Sequence, residues 1–236
     1  MARIRGVTLD AAGTLIAVRR PVGDTYAELA RAYGGVLDRR RLDAAFHAIF
    51  PSMPPLAFAG LSGAALASAE RDWWRQLVRR VVTPAGGVPE FDAYFEALYA
   101  HFAAPQAWRS LGNAPRVLAT LRDAGLRLAV VSNFDSRLPG ILDGLGIGES
   151  LDALLWSSAA GAAKPVPRIF EAALEALRLA PEEALHVGDR VRIDVAGARA
   201  AGMGAVLVDH GECRTEDVVR ITDIGELPAL VLAHRD

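Results

Sequence analysis

The chain has 236 residues, of which 52% are hydrophobic and 23% are charged, and its formal net charge is −2. This composition excludes an intrinsically disordered chain, and no uninterrupted apolar run reaches the roughly 18 residues that a membrane span needs. The near-neutral charge gives no electrostatic reason to expect a nucleic-acid or membrane partner. We therefore expect a soluble folded protein with one sizeable core, or with a core and a smaller inserted domain.

The start of the chain and its cysteine content bear on the compartment. The first residues, MARIRGVTLD, lack the apolar stretch and the small-residue cleavage site of a secretory signal, so we expect a cytoplasmic location. Cys213 is the single cysteine and is predicted to be an ordinary thiol. The sequence therefore predicts neither a disulfide framework nor a thiolate metal cluster.

The first predicted element is a short buried strand, GVTLD at residues 6–10, and the next predicted strand begins only at residue 126. An interval of this length is too long for an ordinary crossover connection in a compact sheet. Helical periodicity fits four segments inside it, namely 24–34, 38–50, 65–82 and 90–103. We therefore predict an inserted all-helical cap over residues 17–110, with a core formed by residues 1–16 and 111–236.

Three features of the cap segment carry specific expectations. Asp38 is predicted to cap the second helix, which begins with a run of arginines. Residues 50–63 are rich in Pro and Gly and have no helical period, which predicts a loop that either overhangs the crevice or only connects two helices. Trp73 and Trp74 lie in a helical pattern and are expected to pack, and such a pair can also anchor the cap to the core.

After the cap, four further apolar runs alternate with helical patterns. The runs cover residues 126–133, 152–158, 184–189 and 204–209, and helices are predicted at 115–125, 167–179 and 195–202. This alternation predicts an α/β fold whose core is a Rossmann-like, doubly wound parallel sheet. Open α/β sheets bind ligands outside the carboxyl ends of their strands. We therefore expect the polar residues that end the five runs to converge on one crevice: Asp10, Ser132, Asn133, Ser157, Ser158, Asp189 and Asp209.

Three aspartates indicate a site for a hard cation. Asp10, taken alone, could equally cap the segment that follows it or act as a nucleophile or metal ligand. Asp189 and Asp194 add two carboxylates at another strand end. Mg²⁺ prefers such oxygen ligands and binds through one or two carboxylates together with a substrate phosphate.

Three further residues offer contacts for an anion. Ser132 and Asn133 supply a hydroxyl and an amide at a strand end, which suit the oxygens of an oxyanion. Lys164 is the single lysine among 26 basic residues and supplies one compact positive charge. Three acids and one lysine around a crevice describe a divalent cation with an anionic ligand.

Four ordered segments, VTLDAAGTL, VVSNFD, AAKPVPRIF and HVGDRVRID, resemble the motifs of the haloacid dehalogenase-like (HAD) hydrolase superfamily. The resemblance covers nearly the whole chain, and the long insertion after the first motif resembles the helical cap of that superfamily. The stretches RDWW, SNFDSRL and ALHVGDRVRIDVAGARAAGM further resemble a subgroup of phosphatase-like proteins. The resemblance implies a hydrolase that acts on a small phosphorylated metabolite and uses Mg²⁺. It says nothing about the oligomeric state.

The resemblance also implies roles for individual residues. Asp10 would be the nucleophile that attacks phosphorus, and Ser132 and Lys164 would hold the phosphoryl oxygens, with Asn133 as a neighbour of that phosphate site. Lys164 would thereby share the catalytic role with Asp10. The implied Mg²⁺ ligands are Asp10, the backbone carbonyl of Ala12, Asp189 and Asp194.

Ala12 is a departure from the family pattern. Phosphatases of this superfamily usually carry aspartate at this position, where it protonates the leaving oxygen and later activates water. The metal ligand survives the change because alanine supplies a backbone carbonyl as well as aspartate does. Loss of a general acid and base typically costs about two to four powers of ten in rate, so we expect slow turnover of alkyl phosphates and a smaller loss with aryl or acyl phosphates. Asp135 is expected to cap a helix rather than to replace the missing acid.

Two other branches of the superfamily tolerate a non-acidic residue at the position of Ala12. Phosphonoacetaldehyde hydrolases need a lysine in the cap for a Schiff base, and the only lysine here, Lys164, belongs to a core motif. Haloacid dehalogenases have an opening motif that resembles DAAGTL, and they need no magnesium. They usually lack the pair found here at Gly188 and Asp189, and like charges would be crowded without a cation.

A third alternative is not an enzyme. A HAD fold can keep its phosphate and metal site and use its cap as an interaction surface, and the loss of the acid at Ala12 makes this a serious candidate. The sequence favours a magnesium-dependent phosphohydrolase over a dehalogenase and over a catalytically silent binding protein.

Overall fold

The computed structural model describes residues 3–211 and 217–233. Cys213 lies outside the described residues, so the expectation about its thiol stays a prediction. Within the described ranges, none of the helices combines the length and the apolar character that spanning a bilayer requires.

Eight strands lie in the described part of the chain, and six of them form one parallel sheet. The strands are β1 (Gly6–Leu9), β2 (Ile16–Val18), β3 (Trp108–Ser110), β4 (Arg127–Ser132), β5 (Ala153–Trp156), β6 (Ala184–Gly188), β7 (Gly204–Val208) and β8 (Val219–Ile221). The sheet order is β5-β4-β1-β6-β7-β8, so the first strand of the chain lies in the middle, between β4 and β6. The five predicted strands are present, and β8 is an additional edge strand that the sequence patterns did not predict.

Ten α-helices accompany these strands within the described residues. They are α1 (Val22–Arg31), α2 (Arg39–Ile49), α3 (Gly63–Val82), α4 (Phe91–Ala103), α5 (Ala114–Asp123), α6 (Leu138–Gly144), α7 (Ser157–Ala160), α8 (Pro167–Leu177), α9 (Ala196–Ala200) and α10 (Leu227–Leu232). The four helices predicted between the first and the second predicted strand are present as α1 to α4, with their ends shifted by at most a few residues. The predicted cap on α2 is confirmed, because the Asp38 carboxylate accepts a hydrogen bond from the Arg41 backbone N–H at 2.8 Å.

The sheet is covered on both faces, as β4 shows. Leu128 and Val130 face a cluster that includes side chains of α5, α6 and α10, whereas Ala129 and Val131 face a cluster with side chains of α8 and α9. Successive side chains of a strand point to opposite faces, so a strand buried on both sides reads as the continuous apolar run seen in the sequence. The predicted α/β fold with a doubly wound parallel sheet is confirmed.

Helices α1 to α4 pack around an apolar core of their own, and we call them together the helical cluster. Its most deeply buried side chains include Leu42, Leu77, Tyr94 and Phe95. The chain enters and leaves the helical cluster through a two-stranded antiparallel ribbon, in which Val18 of β2 lies opposite Trp108 of β3. The sheet and the helical cluster are thus joined by two adjacent strands.

The two tryptophans of α3 contact different parts of the molecule. Trp73 is buried within the helical cluster and donates its indole N–H to the Pro54 carbonyl at 2.9 Å. Trp74 donates its indole N–H across the boundary to a carboxylate oxygen of Asp135 at 2.6 Å. Trp73 therefore packs, and Trp74 also anchors the helical cluster to the segment that follows β4.

Residues 50–63 form a connection that docks on the sheet side. It begins with a short 3₁₀ turn at Phe50–Ser52 and then runs without regular structure. The Ser157 hydroxyl donates to the Leu56 carbonyl at 2.5 Å, and the Phe58 backbone N–H donates to the Ser158 carbonyl at 3.2 Å. The loop therefore connects α2 to α3 and contacts the residues that follow β5, while its first residue, Phe50, lines the same cavity as Asp10.

Glu70 of α3 is a buried carboxylate at the same boundary, with 1% of its surface exposed. It accepts hydrogen bonds from the Ser136 backbone N–H at 3.1 Å, from the Ser136 hydroxyl at 2.8 Å and from the Ser158 hydroxyl. Buried polar groups left without partners are costly, so this carboxylate ties α3 to two separate segments of the sheet side.

We expect Glu70→Ala to lower the free energy of unfolding by about 2 kcal/mol, because it leaves the buried Ser158 hydroxyl without its acceptor and removes two hydrogen bonds from the exposed Ser136. Glu70→Gln keeps one carbonyl oxygen and serves as the matched control, with less than about half of that loss. Urea denaturation followed by circular dichroism measures both values. A loss below about 1 kcal/mol for the alanine variant would show that water replaces the carboxylate and that the contact does not hold the boundary.

Candidate active site

Asp10 follows the central strand β1 and faces a cavity at the carboxyl edge of the sheet. Its carboxylate accepts a hydrogen bond from the Ala11 backbone N–H at 2.7 Å. The turn that follows requires Gly13, because the residue has φ +90° and an added Cβ would lie 2.4 Å from a carboxylate oxygen of Asp189. The glycine thus lets the turn after Asp10 touch the carboxylate of Asp189.

Lys164 lies between two of the aspartates. Its ammonium is 2.8 Å from Asp10 and 2.6 Å from Asp194, and the residue is 4% exposed. Burial lowers the pKa of Lys164, but the charges of the two carboxylates outweigh it, so the pKa is raised above its usual value. The ammonium is therefore a fixed positive charge within reach of the Asp10 oxygens.

Asn133 holds the backbone of Lys164 in place. Its amide nitrogen donates to the Lys164 carbonyl at 2.9 Å, and its amide oxygen accepts from the Lys164 backbone N–H at 2.7 Å. The neighbouring Ser132 is 2% exposed and lines the cavity, and among the described residues its hydroxyl has no hydrogen-bond partner. The structure thus gives Asn133 a positioning contact that the sequence did not indicate.

Asp189 precedes a wide helical turn, Val191–Val195, and Asp194 lies within it; the backbone hydrogen bonds of this turn include bonds to carbonyls five residues earlier. Such turns often occur at functional sites, and this one turns Asp194 back toward β6. An added Cβ at Gly188 would lie 2.3 Å from the Asp194 carboxyl carbon, so glycine is needed for this close approach. One ligand atom from each of Asp10, Asp189 and Asp194 lies within 4.8 Å of the other two.

The pKa values of Asp189 and Asp194 are shifted in opposite directions. Burial, reinforced by the charges of Asp10 and Asp194, raises the pKa of Asp189 to about 6. Burial also disfavours the charged form of Asp194, but the ammonium of Lys164 and a hydrogen bond from His186 hold its pKa well below the usual range. Asp194 is therefore ionised at neutral pH, whereas the charged form of Asp189 is disfavoured by its burial and by the two neighbouring carboxylates.

One carboxylate oxygen of Asp189 shows that the site has room in its bonding for a cation. Oδ1 of Asp189 is buried and makes no hydrogen bond with any part of the chain that the structure describes. An unpartnered buried carboxylate oxygen beside two other carboxylates is unfavourable on its own and is the arrangement that a divalent cation relieves. The donors are all hard oxygens, which suits Mg²⁺. The residues present therefore fit a magnesium ion.

Two histidines support this site and were not recognised as part of it from the sequence. His186 is fully buried, packs edge-on against Phe170, and bonds Asp194 at 3.3 Å and the Thr8 hydroxyl at 2.8 Å. Burial lowers the pKa of His186, so the ring is neutral and acts as a hydrogen-bonding support. His210 lies 2.8 Å from the Gly13 carbonyl and fastens the turn after Asp10. His210 follows a strand end, which is a sequence signal, whereas His186 lies in the middle of β6 and has none.

The expected convergence of all strand-end polar residues is wrong for three of them. The hydroxyls of Ser157 and Ser158 bind the Leu56 carbonyl and Glu70, and Asp209 pairs with Arg220 at 3.4 Å. Strands β5 and β7 each lie two positions from β1, so their ends are displaced by roughly 10 Å from the centre of the crevice. Strand order, which the sequence patterns did not give, decides which ends meet.

Asp135 has the predicted capping role only in part. Its Oδ1 accepts the backbone N–H of Arg137 at 2.9 Å, directly before helix α6 begins at Leu138, whereas Arg137 itself makes no side-chain cap. The Asp135 carboxylate also receives the Arg137 guanidinium, at 2.6 and 2.9 Å, and the Trp74 indole N–H. With both oxygens occupied and no surface exposed, it is not placed to replace the acid that is absent at Ala12.

The cavity above Asp10 has a volume of about 410 Å³, and we call it the chamber. The sheet side contributes its charged end, with Asp10, Lys164 and Asp189, and Ala12 is exposed to it. The rest of the wall is mainly aromatic: Tyr26, Phe46, Phe50, Trp74, Phe102 and Trp108. The size is in the usual range for small-molecule sites.

Comparison with known proteins agrees with the geometry. The family model for haloacid dehalogenase-like hydrolases matches residues 4–202. The chain belongs to the haloacid dehalogenase-like hydrolase family. It is 40% identical to mouse haloacid dehalogenase-like hydrolase domain-containing protein 3 over 214 residues, which are 89% of this chain and 84% of that protein.

Two further proteins are similar to this HAD-like chain, one in sequence and one in structure. A phosphoserine phosphatase of Thermus thermophilus is 37% identical over 176 residues, covering 72% of this chain and 68% of that protein. The solved L-2-haloacid dehalogenase of Xanthobacter autotrophicus superposes with a TM-score of 0.70 at 21% identity and covers 97% of this chain and 98% of that chain. The second likeness shows the fold alone. As a HAD-like protein with a phosphatase among its relatives, the chain is a hydrolase.

The raised pKa of Asp189 gives a stability prediction for this HAD-like site. A carboxylate whose pKa rises from 3.8 to about 6 on folding opposes folding once the pH exceeds 3.8, and the penalty is complete above 6. Without divalent cations at pH 7.5, we expect Asp189→Asn to stabilise the protein by about 1 to 2 kcal/mol, allowing for its partial exposure. The gain should shrink steadily toward pH 4.

Urea unfolding at several pH values, with and without Mg²⁺, measures this effect. Added Mg²⁺ should stabilise the wild type more than Asp189→Asn, because the ion binds the folded state through this carboxylate. Asp72→Asn, on an exposed position of α3, is the matched control. A destabilisation by Asp189→Asn that is the same at every pH would contradict the charge-crowding account.

Proposed function

We propose that this hydrolase is a magnesium-dependent phosphohydrolase of small phosphorylated metabolites that acts through an aspartyl-phosphate on Asp10. The observation that carries the proposal is the cluster at the end of β1, where ligand atoms of three carboxylates lie within 4.8 Å of one another. Two of these carboxylates, Asp10 and Asp194, share the buried Lys164 ammonium, and Oδ1 of the third, Asp189, is unpartnered among the described residues. The phosphatase among the relatives supports the same reaction class.

In this proposal, Asp10 is the nucleophile, and the ammonium of Lys164 and the hydroxyl of Ser132 hold phosphoryl oxygens. One N–H of the Asn133 amide donates to the Lys164 carbonyl, and the other would donate to the same phosphate. Mg²⁺ would be held by Asp10, the carbonyl of Ala12, Asp189 and Asp194, and it would neutralise charge on the phosphoryl group. The lysine orients and partly neutralises Asp10 until the phosphate arrives, because their atoms lie 2.8 Å apart.

Ala12 separates binding from proton transfer in this reaction. Its backbone carbonyl can serve the cation, but its methyl group can neither protonate the leaving oxygen nor activate water. The chemistry is therefore confined to leaving groups that depart without a proton. Aryl and acyl phosphates meet this condition, and alkyl phosphates do not.

The helical cluster is the cap in this proposal, corresponding to residues 17–110, with the core in residues 1–16 and 111–236. Helices α1 to α4 contribute most of the aromatic wall of the chamber, and the two-stranded ribbon connects them to the sheet. The cap thus selects the part of the substrate that lies beyond the phosphate.

Two alternatives make different demands. A dehalogenase needs no cation. Three clustered carboxylates, with the pKa of Asp189 raised by burial and by the charges of its two neighbours, are unfavourable for a site that holds no cation. A silent binding protein has no need of an Asp10 oxygen 2.8 Å from Lys164.

Phosphate release from phenyl phosphate and ethyl phosphate, with Mg²⁺ and with a chelator, tests the proposal. We expect release from the aryl ester that depends on Mg²⁺ and little release from the alkyl ester. Chloride release from 2-chloropropionate without metal would favour the dehalogenase. Absence of both reactions would favour the silent protein.

A further inference from the structure

The chamber is apolar wherever it is not part of the charged end. The helical cluster and the ribbon supply aromatic rings, including Phe46, Phe50 and Trp74, and aliphatic side chains such as Val18 and Leu98. Phe46 stacks on Phe50 at 5.3 Å between ring centroids, and Phe50 stacks on Trp74 at 6.1 Å. Aromatic rings that line a cavity favour the packing of a further aromatic ring, either offset-stacked or edge-on.

The cations that line the chamber away from Lys164 are already engaged. Arg137 gives two of its nitrogens to Asp135, directs the third toward the Tyr99 carbonyl at 3.5 Å, and lies over the ring of Trp74 at 4.8 Å. His47 is largely exposed and lies 3.7 Å from the carboxylate of Asp43.

Arg190 is the remaining cation of the described lining, and its position is different. It follows Asp189 directly, and its backbone N–H donates to the Asp194 carboxylate at 2.9 Å, so it lies at the charged end. The aromatic part of the chamber therefore offers no uncommitted cation, within the described residues, to a second anionic group of a ligand. Burial of an unpaired carboxylate there would cost more than it returns.

We propose that the substrate is a phosphomonoester whose alcohol part is an uncharged aromatic group, bound against the rings of Phe46, Phe50 and Trp74. This inference rests on the proposed phosphohydrolase function and names the substrate class of that site. It excludes phosphorylated hydroxy acids and amino acids as good substrates.

The chemistry of an aryl ester matches the residue at position 12. An oxygen of Asp10 forms a bond to phosphorus, and the bond between phosphorus and the aryl oxygen breaks, with its electron pair leaving on the phenolate. The phenolate takes its proton from solvent, so no acid is needed at Ala12. Water then attacks phosphorus, the bond between phosphorus and the Asp10 oxygen breaks, and the proton of the water passes to the released phosphate or to solvent. This step returns the Asp10 carboxylate and releases inorganic phosphate. The wall and the missing acid thus select the same kind of leaving group.

Binding of unreactive phosphonates to the wild-type protein tests the inference without turnover. Calorimetry in Mg²⁺ compares benzylphosphonate, methylphosphonate and phosphonoacetate, which share a phosphonate and differ in the group attached to it. We expect benzylphosphonate to bind about 10- to 100-fold tighter than methylphosphonate, the gain from burying one aromatic side chain. Phosphonoacetate should bind no tighter than methylphosphonate. Equal affinity of the benzyl and methyl compounds, or tightest binding of phosphonoacetate, would overturn the inference.

A charge placed in the wall gives a second measurement. Phe46→Arg should reduce the preference for benzylphosphonate and increase the affinity for phosphonoacetate, because it supplies the uncommitted cation. Val36→Arg adds the same charge at a site in the helical cluster that is 93% exposed and outside the chamber, and it should change neither affinity. Circular dichroism verifies the fold, and the wild-type comparison decides the question if Phe46→Arg does not fold. An unchanged ligand preference in folded Phe46→Arg would count against the aromatic wall.

The outcomes separate this inference from the function on which it rests. Preferred binding of benzylphosphonate without hydrolysis of phenyl phosphate would refute the phosphohydrolase and retain the aromatic ligand. Hydrolysis of phenyl phosphate with equal binding of the benzyl and methyl compounds would support the phosphohydrolase and refute the aromatic ligand. If none of the three phosphonates binds, both proposals fall.

Discussion

Replacement of Asp10 by asparagine is expected to abolish magnesium-dependent phosphate release, with a fall in kcat of about 10⁴-fold or more. An amide oxygen is a poor nucleophile toward phosphorus, whereas it keeps the size of the carboxylate and can still accept the hydrogen bond from Ala11. Lys164 retains its partner Asp194 at 2.6 Å, so the buried charge is not left alone. The fold should therefore survive the substitution.

Phosphate release from phenyl phosphate, measured for the wild type and Asp10→Asn under identical conditions, gives the ratio. Asp72→Asn makes the same chemical change on the exposed face of α3 and should keep the full rate. Circular dichroism and thermal unfolding establish that Asp10→Asn is folded. A variant that keeps more than about a tenth of the wild-type rate would show that Asp10 is not the nucleophile.

Ala12→Asp should have the second largest effect and the opposite sign. The position is exposed to the chamber, so an aspartate side chain fits there without displacing the core. It would supply the proton that an alkyl leaving oxygen requires, and we expect kcat for ethyl phosphate to rise by about two to four powers of ten. For phenyl phosphate the rise in kcat/KM, which reports the first chemical step, should be less than about tenfold, because phenolate departs without a proton.

Ala12→Asn is the matched control, since it has nearly the same size but cannot transfer the proton. Rates with ethyl and phenyl phosphate for the three proteins give the dependence on the leaving group directly. Equal acceleration by asparagine and aspartate would point to a change in shape rather than to acid catalysis. An unchanged or lower rate for folded Ala12→Asp would refute this account of the position.

The charged centre was accessible from the sequence because it lies where strands end. Asp10, Ser132 and Asp189 each follow a short apolar run, and a parallel sheet brings the carboxyl ends of its strands to one edge. Ser157 and Asp209 satisfied the same rule and nevertheless lie elsewhere, because β5 and β7 are two positions from β1. Periodicity gives the elements, but it does not give their order in a sheet.

The contacts between the helical cluster and the sheet could not be predicted in the same way. Glu70 and Arg137 look like ordinary surface charges in the sequence, and only the packing of α3 against the segment after β4 buries them with their partners. His186 shows the same limit, since its bond to Asp194 crosses a turn whose wide hydrogen bonding no residue pattern announced. Pairings made by tertiary packing have no local signal.

The isolation of Lys164 has a consequence for how the molecule can be observed. Its ε-amino group is the single lysine amine of the chain, its side chain is 1% exposed, and it is held in its protonated form. Acylating reagents attack only neutral, accessible amines, so they spare this lysine while the folded site stays closed. The rate of acylation at Lys164 therefore measures how often this buried amine becomes accessible, through local opening of the site or through unfolding.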